Sequence, residues 1–262
     1  MSSTIVTALL SYTSDKVGAF NPQLLREWQG RLRWRNVLLT AVLSFVIQGL
    51  VLIQILTELP ARTETSHRFC LKAFENANCQ VGADGLPLIN WPYVLQSLSF
   101  VLVWVLVVGG TYLLVADLSS ETKRGTLNFL RMSPLSARQI LLGKIMGVPV
   151  LLYLGLGVMC PMHLAMGLVA GYPLGLLLMF YGVLGAIAAC FYVASLWFSI
   201  LLQWLHGLQA LLLSGISFFV LFLGWNSHCY QTTTDWFFLF NPLHILSSWL
   251  PQGLTTVRLS FF

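Results

Sequence analysis

The sequence predicts an all-α, polytopic membrane protein that forms a single transmembrane domain over residues 1–262. Two observations predict this class. The chain is 57% hydrophobic and only 9% charged, whereas a soluble domain carries about 25% charged residues. Apolar runs close to the roughly 20 residues that cross a bilayer fill most of its length. Because unpaired backbone groups are costly in hydrocarbon, each run is expected to be a helix.

Residues 21–36 predict an amphipathic helix at the membrane surface. Leucines and tryptophans, Trp28 among them, alternate with basic residues that include Arg31, Arg33 and Arg35. Asn21 followed by proline is a helix start signal. The alternative is a solvated basic tail, which the two tryptophans and three leucines disfavour.

Five hydrophobic spans follow, at residues 37–56, 93–116, 140–167, 174–202 and 208–224. The third and fourth are long enough to tilt or kink, and Pro149, Pro161 and Pro173 provide places for a kink. The fifth is only just long enough to cross a bilayer.

Lysine and arginine counts beside the spans predict the orientation. The N-terminus and residues 117–139 are expected to be cytoplasmic, and the loop at 57–92 external. Residues 225–262 begin outside and are apolar but broken by Pro242 and Pro251, which predicts a re-entrant segment. We expect a multi-pass protein of a bacterial-type inner or plasma membrane.

The polar chemistry is sparse. No phosphate-binding glycine loop occurs, so ATP, if used, is bound by another subunit.

The cysteines form no CxxC and no metal site is predicted; Cys70 and Cys79 share the external loop, where a disulfide between them competes with one to Cys229. The net charge of +5 lies beside the spans and favours membrane lipid rather than nucleic acid as the partner.

The spans contain almost no acidic or basic residues. His163 is read as a hydrogen-bonded structural side chain, with a proton relay as the alternative. The lack of intramembrane charge disfavours an ion-driven carrier and suits a bulky, amphipathic or lipid-like cargo.

Residues 117–139 form a polar stretch between the second and third spans. We expect a short amphipathic helix from Ser120 to Met132, capped by Ser119 or Ser120. Pro134 then forces a turn, and a second helix starts near Ser136 and enters the third span. Such a structure either carries force between a cytoplasmic partner and the membrane helices or is a plain connector.

The stretch "ETKRGTLNFLRMSPLSARQILLGKIMG" resembles the ABC-2 type transporter permeases. An acidic residue precedes a basic-Gly-Thr-Leu run, then a small-Pro-Leu-Ser turn, then the entry to the third span. The resemblance extends to the connecting helix at 21–36, the external loop and the broken C-terminal segment. The coupling residues it implies are Glu121, Arg124, Gly125, Thr126, Leu127 and Pro134.

The resemblance implies a permease subunit that works as a homodimer or heterodimer with ATP-binding cassette ATPase subunits. ATP and Mg²⁺ would be bound in the ATPase partner, and this chain would bind no cofactor and catalyse no reaction. Trp28, Arg31, Arg33 and Arg35 would lie in the connecting helix. The family has a six-span fold, and we expect the last span to be missing or truncated here.

Two other classes compete with the permease. One is a non-transporting structural or assembly subunit of a larger membrane complex, in which glycine-rich spans serve only to pack. The other is a membrane-embedded enzyme, for which the sequence shows no catalytic constellation. The cargo and the direction of transport, with export expected, are not set by these residues.

Overall fold

The structure of the chain is a computed structural model that describes residues 16–57, 89–125, 136–226 and 242. Within those ranges it is built from helices, in the order α1 (Pro22–Arg31), α2 (Trp34–Thr57), α3 (Trp91–Trp104), a π-helical turn (Val105–Gly109), α4 (Gly110–Lys123), α5 (Ala137–Gly147), α6 (Val150–Val169), α7 (Leu174–Leu201), a 3-10 segment (Gln203–Leu208) and α8 (Gln209–Asn226).

Helix α1 begins where the sequence predicts. The Asn21 side chain accepts hydrogen bonds from the backbone N–H groups of Gln23 and Leu24, and proline occupies the first helical position. The helix ends at Arg31 rather than continuing to residue 36. Asn36 on α2 donates to the Arg31 carbonyl at 3.0 Å. The predicted connecting helix is therefore shorter, and its last residues open the first span.

Helices α3 and α4 run on through the π-helical turn between them. A π turn disturbs the regular carbonyl pairing, and here the Tyr192 hydroxyl of α7 donates to the Leu106 carbonyl at 2.6 Å. Gly110 lets the tyrosine approach, because a Cβ at that position would collide with the phenol ring. The second predicted span forms a longer helical segment than expected.

Helix α4 ends at Lys123, and this corrects the helix predicted from Ser120 to Met132. Residues 120–123 form the last turn of α4, so neither Ser119 nor Ser120 is an N-cap. Gly125 follows with φ +72°, a left-handed conformation that closes helices and favours glycine. Thr126, Leu127 and Pro134 lie outside the described residues.

The third predicted span, 140–167, is divided in two. Helix α5 ends at Gly147, and α6 starts after Pro149. Proline has no N–H to give to the carbonyl four residues earlier, which belongs to Ile145. The Tyr153 hydroxyl donates to that carbonyl instead, at 2.9 Å. Pro149 was expected to kink a single helix, but it lies between two separate helices, α5 and α6.

Four described helical segments are long and apolar enough to cross a membrane: Trp34–Gln54, Trp91–Lys123, Val150–Val169 and Leu174–Leu201. The fifth predicted span forms the shorter apolar helix Gln209–Gly224. Most of the external loop at 57–92, with Cys70 and Cys79, and most of the re-entrant segment at 225–262 lie outside the described residues.

The described residues divide into two compact units. One comprises those within Met1–Ala41, Val105–Gly155 and Ala188–Val220, and its core includes Val115, Ala210 and Leu213. The other comprises those within Val42–Trp104, Leu156–Ile187 and Leu221–Phe262, and its core includes Tyr93, Val94 and Leu98.

Candidate functional site

Helix α1 lies directly against α5, and two glycines allow the contact. A Cβ at Gly143 would stand 3.0 Å from the Gln23 side chain and 3.1 Å from the Leu24 backbone nitrogen. A Cβ at Gly147 would stand 2.6 Å from that of Glu27. The spacing is the GxxxG pattern of closely packed helices. The two helices therefore cross with no room for a side chain between them.

The start of α5 is tied to the start of α1. Ser136 caps α5: its hydroxyl accepts from the Gln139 N–H at 3.3 Å, and the Gln139 side-chain oxygen accepts from the Ser136 N–H at 3.1 Å. Asn21, the cap of α1, donates to the Gln139 carbonyl at 2.7 Å. Both helix starts are thus fixed by one short hydrogen-bond chain.

A cluster of five charged side chains joins α1 and α5 to α4. We call Glu27, Arg31, Asp117, Glu121 and Lys144 the ionic cluster. Lys144 Nζ lies 2.6 Å from Asp117 Oδ2, 2.7 Å from Glu121 Oε2 and 3.6 Å from Glu27 Oε1. Arg31 pairs with Asp117 at 2.5 Å and with Glu27 at 3.2 Å. Lys144 is the centre of the cluster, since its ammonium group reaches all three carboxylates.

The ionic cluster is largely shielded from solvent. The Lys144 side chain is 4% exposed, and the carboxylates are 10% to 20% exposed. Burial by itself would lower the pKa of Lys144, but the charges and hydrogen bonds of Asp117 and Glu121 outweigh it and raise this pKa above its ordinary value. Lys144 therefore stays charged at every physiological pH.

The three carboxylates resemble a cation site in their spacing. Glu27, Asp117 and Glu121 each offer an oxygen, and these oxygens lie within 4.8 Å of one another. The Lys144 ammonium group, however, already lies within 3.6 Å of all three side chains. The cation that these carboxylates hold is the lysine, and the cluster acts as a structural ion-pair network.

The predicted site residues separate into two groups. Glu121 and Arg31 belong to the ionic cluster. Arg33, Arg35 and Arg124 are exposed and lie outside it, and Trp28 is half-buried on α1. Gly125 makes the turn after α4, and a Cβ there would meet nothing within 4 Å. Glycine is favoured at this position because φ is positive, and not because a neighbouring residue lies too close for a side chain.

Three members of the ionic cluster were missed as site residues by reasoning from the sequence. Asp117, Lys144 and Glu27 were not named among the predicted site residues. Two signals could have found them. Glu27 and Arg31 have the i, i+4 spacing of a helical ion pair. Lys144 stands between two glycines spaced for close helix contact, where a charge needs a partner.

A second polar chain holds the other side of α4. The Ser199 hydroxyl on α7 donates to the Gln209 side-chain oxygen at 2.8 Å, and Gln209 at the start of α8 donates to the Ser119 hydroxyl at 3.3 Å. All three side chains are buried. The last turns of α4 are therefore bound to α1 and α5 on one side and to α7 and α8 on the other.

The other compact unit holds a buried serine–histidine pair. The Ser99 hydroxyl lies 2.6 Å from His163 Nε2, and Tyr181 Oη lies 2.8 Å from His163 Nδ1. Ser99 also donates to the Leu95 carbonyl at 2.7 Å. Its only proton is thus committed, so Nε2 is assigned as the donor and Nδ1 as the acceptor from Tyr181. The serine is not activated as a nucleophile, and the group links α3, α6 and α7.

The length and apolar composition of the helices define the class of protein. Four apolar helices of spanning length make the chain an integral, polytopic helical membrane protein. No protein-family model, curated protein or solved structure matches it.

Proposed function

We propose that the chain is the membrane-spanning permease subunit of an ABC transporter, driven by ATP hydrolysis in a separate ATPase subunit. One observation carries this proposal. The ionic cluster takes Asp117 and Glu121 from the helix before residues 126–135 and Lys144 from the helix after them. The helices on the two sides of that segment, α4 and α5, are thus held to each other and to α1 by ion pairs.

An ionic cluster that joins the two flanking helices suits a segment that receives force from a partner. A load applied to residues 126–135 would reach α4 and α5 through a few short, buried ion pairs rather than through a flexible connection. Helix α1 would move with α5, because Gly143 and Gly147 leave no space for sliding. In this proposal residues 126–135 contact the ATPase from the cytoplasmic side, with the N-terminus on the same side.

Exposed charge beside this segment fits the same proposal. Lys123 and Arg124 precede it, and Arg138 follows it, and all three side chains are exposed. They would face an acidic groove on the ATPase, and Glu121 would support them through the ionic cluster rather than contact the partner. Complementary charge of this kind fixes register and speeds association.

The cargo and the second permease copy are part of the proposal. The acidic side chains of the described spans, Asp117 and Glu121, lie in the last turns of Trp91–Lys123, and His163 is held by neutral partners. A route through or beside such helices suits a bulky amphipathic cargo, and export is the proposed direction. A second copy, identical or related, would complete that route.

Purification from native membranes in mild detergent, followed by mass spectrometry, tests the proposal. A stoichiometric ATPase should be recovered with the wild-type chain and be lost with the double variant Arg124→Glu/Arg138→Glu. The matched control is Lys16→Glu/Arg26→Glu, which makes the same charge change on exposed residues away from the segment. Recovery of a large assembly with no ATPase would overturn the proposal and make the chain a structural subunit.

Gly125 offers a second test on the recovered complex. Gly125→Trp should lower ATP turnover by the complex without loss of the inserted protein, because tryptophan is strained at positive φ. Gly125→Asn is the control, since asparagine tolerates this conformation. Equal turnover in the wild type and in Gly125→Trp would count against a coupling role for this turn.

A further inference from the structure

The described part of the chain divides its charges unequally between interior and surface. Its three acidic residues, Glu27, Asp117 and Glu121, all belong to the ionic cluster. In the same described part of the chain, every exposed ionic side chain is basic. Among the described residues neither Arg33 nor Arg35 makes an ion pair. These two arginines present positive charge that the rest of the described protein does not neutralise.

Arg33 and Arg35 flank the first residue of a membrane span. Trp34 begins the candidate span Trp34–Gln54 and is 74% exposed. Tryptophan and arginine together at the end of a span are typical of headgroup depth, where an indole and a guanidinium meet both polar and apolar surroundings. Arg33 and Arg35 are therefore expected at the surface of the bilayer rather than in bulk solvent.

The face of α2 that follows Arg35 toward the middle of the span is apolar and exposed. Leu38, Leu39 and Val42 follow at helical spacing and are each about half exposed or more. Arg35 and Val42 are separated by about 10 Å along the helix axis. A positive group above an apolar stripe of that length matches a phospholipid, whose phosphate and acyl chain are joined in the same order.

The backbone holds these arginines in place. Arg31, two residues before Arg33, is fixed by Asp117 and Glu27 in the ionic cluster. The Arg33 carbonyl accepts the first hydrogen bond of α2 from Val37 at 3.0 Å, and Asn36 closes the end of α1. The connection between α1 and α2 is thus restrained on both sides, and the arginines are presented with little loss of backbone freedom on binding.

From this geometry we propose that Arg33, Trp34 and Arg35 form a binding site for an anionic phospholipid, with its phosphate at the level of the arginines and its chain along Leu38 and Val42. The positive charge of the two arginines attracts a phosphate at the membrane surface. This site is independent of any ATPase partner. It makes the position of α1, and through Arg31 the ionic cluster, sensitive to the lipid that surrounds the first span.

Native mass spectrometry of the purified full chain, titrated with phosphatidylglycerol or phosphatidylcholine, tests the proposal. The first phosphatidylglycerol adduct should bind more tightly than the first phosphatidylcholine adduct. Arg33→Gln/Arg35→Gln should weaken the anionic adduct by about thirty-fold at low ionic strength, from the contribution of two surface arginines. Arg33→Lys/Arg35→Lys should keep most of the preference, which shows that charge and not misfolding is responsible.

Arg124→Gln/Arg138→Gln is the matched control, because it removes two exposed charges elsewhere and should leave the first adduct unchanged. Soluble glycerol phosphate should not compete, since it lacks the chain that contacts the apolar stripe. Three results would overturn the proposal. They are equal binding of both lipids, equal loss in the control variant, or a dimer that excludes lipid and dissociates in Arg33→Gln/Arg35→Gln.

Discussion

Replacement of Lys144 by methionine is the most informative single change to the ionic cluster. Methionine keeps the length and the apolar stem but removes the ammonium group that lies within 3.6 Å of three carboxylates. Loss of one partner from a buried ion pair costs about 3–5 kcal/mol, because the remaining charge is left without compensation. At 4% exposure, Lys144 falls in that buried class.

The expected result is therefore a loss of about 3–5 kcal/mol in the free energy of unfolding, or failure of the chain to accumulate as a folded protein. Arg31→Met should cost about 1 kcal/mol or less, since the Arg31 side chain is 29% exposed and better screened. Arg138→Met, an exposed change on the same helix as Lys144, should stay within about 0.5 kcal/mol of the wild type. Thermal and denaturant unfolding in one mild detergent would measure all three.

A double variant tests the pairing itself. Asp117→Asn and Lys144→Met each break the 2.6 Å contact, so the second change should cost much less after the first. The deviation from additivity should be on the order of 1–3 kcal/mol. Additive effects, or a Lys144→Met variant as stable as Arg138→Met, would show that the cluster does not stabilise the fold.

Two further predictions concern packing and pH. Gly147→Ala should separate α1 from α5, because its Cβ would lie 2.6 Å from that of Glu27, and cross-linking between cysteines placed on the two helices should fall; Gly157→Ala, which meets nothing within 4 Å, is the control. The pKa of Lys144 is raised above 10.5 on folding, so its stabilising contribution is complete below that pH and is lost as the pH rises through the folded value. Unfolding temperature should therefore fall in strongly alkaline solution more for the wild type than for Lys144→Met, and equal falls would refute the assignment.

Local signals predicted the ends of several elements. Asn21 and its following proline identified the start of α1, because a cap is specified by residues close in sequence. Gly125 was selected from the sequence, but its role as a helix terminator depends on a positive φ that residue type alone does not fix. The break at Pro149 was anticipated only as a kink, since the carbonyl that Tyr153 satisfies is visible only in three dimensions.

The candidate site was harder to predict because its members are distant in sequence. Glu27 and Lys144 are brought together by the crossing of α1 and α5, which depends on two glycines that pack against a helix more than a hundred residues away. A charge count beside the spans assigned the basic residues to orientation. It could not show which of them is buried among carboxylates and which is exposed.

The position of Lys144 also sets an order of events during synthesis. Glu27, Arg31, Asp117 and Glu121 are all made before it, so until residue 144 emerges the three carboxylates have only Arg31 among the partners of the finished cluster. Helix α1 cannot reach its final place before the α5 glycines exist to receive it. The ionic cluster can therefore form only after residue 144 has been made, and Lys144 is the residue that completes it.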